Sequence, residues 1–225
     1  MISDNLKRVG DSVAAICRRL GRNPRDIVIV GVTKFAEAAN IREAGLRHIG
    51  ENKVQEAQRK FPALAGVKVT KHLIGHLQTN KVKQALKYFD LIQSVDSFKL
   101  AREIQKEAAK LNKTAEILVQ VNTSGEEQKF GAAKEEANAL VEQILGLGNV
   151  RVLGLMTIAP LTENKEIIRQ CFRDLKSLFE EFKKKYSGND NIQMKYLSMG
   201  MTDDFEIALE EGSNMLRIGR AIFAS

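Results

Sequence analysis

"IVIVGVTK", residues 27–34, is an aliphatic run that ends in a cation. Ile27 to Thr33 reads as a buried strand, and Lys34 follows at its tip. On an isolated strand such a lysine simply reaches water, so its meaning depends on what the rest of the chain places beside it. Just upstream, "GRNP" (residues 21–24) breaks a helical pattern, with Gly21 as C-cap and Pro24 beyond it. That N-terminal helix carries Ile2, Leu6, Val9, Val13, Ile16 and Leu20 at helical spacing.

Downstream, strand-like stretches recur at 47–50 (RHIG), 69–75 (VTKHLIG), 90–95 (DLIQSV), 115–122 (AEILVQVN), 151–156 (RVLGLM), 194–198 (MKYLS) and 215–218 (MLRI), which with 27–33 makes eight. Helical patterns fill the intervals at 36–44, 52–60, 79–87, 97–111, 133–146, 163–185 and 203–211. In 163–185 the residues Ile168, Cys171, Phe172, Leu175, Leu178, Phe179 and Phe182 form one apolar stripe. Asp96-Ser97 and Thr202-Asp203 offer N-caps at helix starts. Regular alternation predicts a parallel sheet with crossover helices, and eight repeats predict closure into a (β/α)8 TIM barrel with an extra N-terminal helix. An open doubly wound sheet is the alternative, because 47–50 and 194–198 are short. No Pro/Gly/Ser linker divides the chain, so residues 1–225 are expected to form a single domain.

Composition narrows the function classes. The net charge is +7, but the basic residues are scattered and interleaved with Glu along helices. "KKK" (183–185) closes a long helix, where cations suit the helix dipole. With three Tyr and no Trp there is little for a base-stacking platform, so nucleic acid is not the expected partner. No apolar run approaches the roughly 20 residues that span a bilayer, and "MISDNLKRVGDSVAAICRRL" has no secretory core, which predicts no membrane partner and a cytoplasmic location. Cys17 and Cys171 read as reduced packing residues, and His48, His72 and His76 have no metal-site spacing.

In (β/α)8 barrels chemistry gathers at the C-terminal ends of the strands. Those ends here read Lys34; Gly50-Glu51-Asn52; "IGHLQTNK" (74–81); Ser94; "VNTSGEEQKFG" (121–131); "GLMTIAP" (154–160); "SMGMTDDF" (198–205); and "RIGR" (217–220). The last two are strand, small-residue turn, then helix start, twice in adjacent loops. Glycine lets backbone N–H groups approach an anion, and this is a frequent phosphate position in such barrels. Lys34, on the strand that closes against 215–218, is either a further phosphate contact or a nucleophilic amine. A phosphate-anchored aldehyde held by a lysine imine is pyridoxal phosphate. Lys34, the two glycine turns, apolar residues such as Met156, and Arg217 match what that cofactor needs.

Eight motifs in order, "VGVTKF", "GENKVQEA", "HLIGHLQTNKVK", "SVDS", "VNTSGEEQKFG", "GLMTIAP", "SMGMTDDFEIAL" and "RIGRAIF", resemble the pyridoxal phosphate homeostasis proteins from about residue 10 to 223. The resemblance implies the fold type III barrel shared with the N-terminal domain of alanine racemase. It implies pyridoxal 5′-phosphate as a Schiff base on Lys34. The phosphate is then held by Ser198 and backbone groups of Met199, Gly200, Ile218 and Gly219. Arg217 is placed at the pyridine nitrogen or the phosphate, with the nitrogen favoured, and Asn52 near the ring or the imine. Only the tail departs, at Phe223-Ala224, where relatives often read Gly after Phe.

The related racemases use a tyrosine from a partner subunit and an added β-domain. Tyr88, Tyr186 and Tyr196 fall in helix or strand bodies, and an Arg at the pyridine nitrogen weakens the ring as an electron sink. The expectation is therefore a monomeric carrier that acts in intracellular vitamin B6 and amino-acid homeostasis without catalysis of its own. PLP-dependent apoenzymes would be the receiving partners. The alternative is a weak PLP-dependent amino-acid racemase or lyase, with His76 or Glu51 as second base. Lys53, Lys71, Lys81 and Lys129 are each conceivable as a transient second amine during transfer.

Overall fold

A computed structural model describes residues 2–34, 36–126 and 128–224. The helix α1 (Ile2–Arg19) leads into β1 (Val28–Val32), α2 (Ala38–Ala44), β2 (His48–Glu51), α3 (Val54–Lys60), β3 (Thr70–Leu73), α4 (Val82–Tyr88), β4 (Leu91–Val95) and α5 (Phe98–Lys110). The chain continues through β5 (Ala115–Asn122), β6 (Ala132–Ala133), α6 (Ala137–Leu145), β7 (Val150–Met156), α7 (Lys165–Lys185), β8 (Ile192–Ser198), α8 (Phe205–Glu210), β9 (Met215–Ile218) and α9 (Arg220–Phe223).

Every strand pairing is parallel. The order β4-β3-β2-β1-β9-β8-β7-β5 closes through a β4–β5 pairing, so eight strands form a barrel and the doubly wound alternative does not arise. The two-residue β6 lies outside the ring, beside the end of β5. Right-handed crossovers need a helix on the outside between successive parallel strands, which the alternating sequence supplies.

Two cores result. Inside the barrel, Val30, Leu91, Leu118, Leu153, Met156 and Met215 pack together. Outside, the other faces of the strands meet the helix stripes. On α7 the buried residues are Ile168, Cys171, Phe172, Leu175, Phe179 and Phe182. Truncating a fully buried aromatic such as Phe172 or Phe182 costs about 3–5 kcal/mol in such a core. The helix α1 packs on α2, α8 and α9, the last of which is only four residues long.

Some boundaries differ from the sequence pattern. The 133–146 helix begins only at Ala137, because Ala132–Ala133 is drawn into the β6 bridge and Lys134–Glu136 forms a 3-10 turn. The last crossover helix starts at Phe205 rather than at Thr202-Asp203. There the Asp204 carboxylate accepts from the Met201 backbone N–H at 2.5 Å and tightens the preceding turn. Ser97 does cap α5, accepting from Leu100 N. Cys17 and Cys171 are buried free thiols. Among the described residues no helix is long and apolar enough to cross a membrane, and no cluster of His, Cys, Asp and Glu could hold a metal.

Candidate functional site

The expected site residues fall on four consecutive barrel strands, in the order β2-β1-β9-β8. Asn52 follows β2 and is half-buried; Lys34 follows β1 and is exposed. Arg217 and Ile218 end β9, with Gly219 next; Ser198 ends β8, followed by Met199 and Gly200. Residues up to 185 positions apart in sequence, Lys34 and Gly219, thereby share one sector of the barrel mouth.

Lys34 stands on a clamped backbone. The Lys60 ammonium reaches back from α3 and donates to the carbonyl of Thr33 (2.7 Å), to Glu51 Oε1 (2.9 Å) and to the carbonyl of Lys34 (3.4 Å). Thr33 Oγ1 donates to Glu51 Oε1 at 2.6 Å. Thr33, Glu51 and Lys60 are all buried, so an ion pair sits directly beneath the residue that presents the amine. Glu51 Oε2 has no hydrogen-bond partner among the described residues.

The turns after β8 and β9 are tied together. Gly200 O accepts from Arg217 N (3.0 Å), and Met199 N donates to Met215 O (3.2 Å). Gly200 has φ +98, and a Cβ there would lie 2.5 Å from the Ala208 Cβ. Only glycine lets this turn close down on α8. Burial raises the Asp204 carboxyl above the usual range, with the Arg217 charge opposing that rise.

Arg217 itself is buried. Its Nη1 donates to Ser198 Oγ and its Nη2 to the Thr157 carbonyl, both at 2.7 Å. Among the described residues no carboxylate lies within ion-pair distance of it. Burial pulls its pKa down to about 10, so it remains a cation at neutral pH. The Ser198 hydroxyl is also buried and donates to Gln93 Oε1 at 2.7 Å, so it points into the barrel.

The opposite wall comes from β3, β4 and β5. His76 stacks on Phe130, ring centroids 4.0 Å apart, with Asp96 Oδ2 3.6 Å from its Nδ1. Gly75 packs so closely on the loop after β2 that a Cβ would lie 2.2 Å from Asn52 O, and Ser94 Oγ donates to Gly75 O. Lys129 donates to the Ala159 carbonyl, joining the loops after β5 and β7. Among the described residues, neither Arg217 nor Ser198 is hydrogen-bonded to Lys53, Lys71 or Lys81. Tyr88 ends α4, Tyr186 caps α7 and Tyr196 lies within β8, so none of the three sits in a mouth loop.

Sequence reasoning singled out neither Lys60, Gln93 nor Thr157. The signal for Gln93 was a polar residue inside a strand buried at all five positions. Lys60 closes an amphipathic helix and is indistinguishable there from a solvated lysine.

Chemically, this sector offers an amine, a buried guanidinium without a carboxylate partner, and two glycine turns drawn together. The set suits a ligand with an anionic end and an electrophilic or hydrogen-bond-accepting ring.

Comparison with known proteins places the fold in a class. The family model described as alanine racemase, N-terminal domain, matches residues 15–225. The pyridoxal phosphate homeostasis protein of Aquifex aeolicus (strain VF5) is 43% identical, over 98% of this chain and 96% of its own length. That of Escherichia coli (strain K12) is 35% identical over 100% and 96%. The chain belongs to the pyridoxal phosphate homeostasis protein family, within the alanine racemase N-terminal domain class. Among solved structures, PipY of Synechococcus elongatus PCC7942 with PLP bound superposes with TM-score 0.85 at 30% identity, covering 100% of both chains. The alanine racemase of Clostridium difficile 630 shares the fold, with TM-score 0.75 at 16% identity over 57% of its chain.

Proposed function

We propose that this chain binds pyridoxal 5′-phosphate through a Schiff base to Lys34 and acts in the homeostasis of that cofactor. The observation that carries the reading is the four-strand sector. An amine on a clamped backbone, a buried arginine and two linked glycine turns lie side by side, in a chain alignable end to end with PipY, which was solved with PLP bound.

Each residue then has a physical task. Lys34 supplies the nitrogen that replaces the aldehyde oxygen, which leaves as water. The turns Ser198-Met199-Gly200 and Ile218-Gly219 receive the phosphate. Arg217, charged and donor-only, faces the pyridine nitrogen and keeps it unprotonated. Asn52 lies beside the ring. When bound, the cofactor supplies a reactive aldehyde, and an unprotonated ring limits it as an electron sink.

This supports binding and hand-over rather than turnover. Glu51 is engaged by Thr33 and Lys60, which disfavours it as a free second base. The reading carries with it a cytoplasmic monomer that gives the cofactor to PLP-dependent apoenzymes. A weak racemase or lyase is the competing reading, and steady conversion of an amino-acid enantiomer by the pure protein would establish it.

The decisive test is the absorption spectrum of wild type and Lys34→Ala with added pyridoxal phosphate, before and after borohydride. The expected result is an imine band that borohydride fixes to wild type as a covalent adduct on the Lys34 peptide, absent in the variant. Wild type without such a band or adduct overturns the proposal.

A further inference from the structure

The polar side chains inside the barrel form one connected run. Arg217 Nη1 lies 2.7 Å from Ser198 Oγ, which lies 2.7 Å from Gln93 Oε1. Gln93 Nε2 lies 2.9 Å from His72 Nδ1, and His72 Nε2 lies 3.0 Å from His48 Nδ1. The run joins β9, β8, β4, β3 and β2 across the interior, from the C-terminal ends of β8 and β9 to the first residue of β2.

Chemistry orders the donors. A guanidinium can only donate, so Ser198 Oγ accepts from Arg217 and its one proton goes to Gln93 Oε1. The Gln93 amide nitrogen then donates to His72 Nδ1, which must be a lone pair. A neutral His72 carries its proton on Nε2 and donates it to His48 Nδ1. The reverse amide orientation would leave the buried Ser198 proton facing a donor. It would also turn an oxygen toward Met215 Sδ, which lies 3.3 Å from Gln93 Nε2 and can accept that nitrogen's second proton. Every link thus points the same way, and each polarises the next.

We propose that Gln93 and His72, ending at His48, are positioning residues for Arg217. They hold the Ser198 hydroxyl in the one rotamer that accepts from the guanidinium, and so fix how Arg217 presents its remaining N–H groups. Asp204 reaches Arg217 only through its charge, and no carboxylate among the described residues lies within ion-pair distance to do this work. The consequence for the cofactor rests on the binding function proposed above; the order of the run does not.

The test has two arms. Nitrogen-15 NMR of the cofactor-free protein reads the His72 tautomer and the Arg217 Nη–H signals. The expected result is Nε2–H on His72 and resolved, slowly exchanging Arg217 signals, averaged in Gln93→Met. An Nδ1–H tautomer, or Arg217 signals unchanged in Gln93→Met, overturns the proposal whether or not the cofactor binds. In the second arm, Gln93→Met with pyridoxal phosphate is expected to bind about tenfold more weakly and with a displaced absorption maximum, while Lys34 remains trappable by borohydride. Wild-type binding with an unchanged affinity and band in Gln93→Met also overturns it. Failure of wild type to bind at all overturns only the binding function and leaves the first arm to decide. If Gln93→Met does not fold, Gln93→Glu replaces it, keeping the acceptor for Ser198 but removing the donor to His72.

Discussion

Lys60 Nζ lies 2.9 Å from Glu51 Oε1, with 2% and 0% of the two side chains exposed. One ammonium therefore neutralises a buried carboxylate and holds two successive carbonyls, Thr33 and Lys34, at the end of β1. Breaking a buried pair from one side leaves an uncompensated charge, which costs about 3–5 kcal/mol. Lys60→Met is expected to destabilise the protein by that amount in urea unfolding. Lys60→Met combined with Glu51→Gln is expected to recover most of the loss. A double variant as unstable as the sum of the two single changes would show that the pair is not coupled.

The turn after β8 gives a second, independent prediction. At Gly200, with φ +98 and Ala208 Cβ 2.5 Å from an added Cβ, alanine must strain the backbone and push α8 outward. Gly200→Ala is expected to cost about 1–3 kcal/mol and to weaken phosphate-bearing ligands. Thermal unfolding and titration with pyridoxal phosphate check the two effects. Gly66→Ala is the control: its φ is +79, but nothing lies within 4 Å of an added Cβ, so it should show only the cost of a positive φ.

Why much of this was legible in sequence, and some was not, follows from the range of the interactions. The stretch 115–122 coincides with β5 because its apolar run is long and bounded on both sides by polar residues. The glycine turns at 199–200 and 218–219 were legible because the turn and the strand before it are contiguous. The 132–133 bridge was not, since two residues carry no period. Nor was the bond between Gln93 and Ser198, whose partners are 105 positions apart and meet only after the barrel closes. Lys60 escaped for a similar reason: its role depends on α3 folding back beneath β1.

Acid should be felt through His72. Burial, with the His48 charge adding, pushes its pKa from 6.5 down to about 3. The folded state therefore binds fewer protons than the unfolded one between those values, and stability falls as pH drops below 6.5. From His72 alone the loss is about 2 kcal/mol at about pH 5. Burial lowers the His48 pKa as well, which acts in the same direction. Urea midpoints measured from about pH 7 to 5 should fall, and His72→Gln should flatten the slope. Parallel pH profiles for the two proteins would place the acid sensitivity elsewhere.

The fork made by Arg169 reaches the site from outside the barrel. From α7, its Nη1 meets Glu211 Oε1 and its Nη2 meets Glu210 Oε2, each at 2.6 Å, so one planar group grips the end of α8. Those two hydrogen bonds, the Glu210 bond first, hold the guanidinium pKa above its ordinary value. The helix α8 in turn backs the Gly200 turn through Ala208. A lysine keeps the charge but cannot donate along two parallel directions. The group is a quarter exposed, so solvent screens it, and Arg169→Lys is expected to cost only about 0.5–1 kcal/mol. That loss should shrink in high salt, and amide hydrogen exchange should quicken in α8 rather than across the barrel strands. Equal quickening in β7 and β8 would mean that the fork supports the whole fold and not this helix.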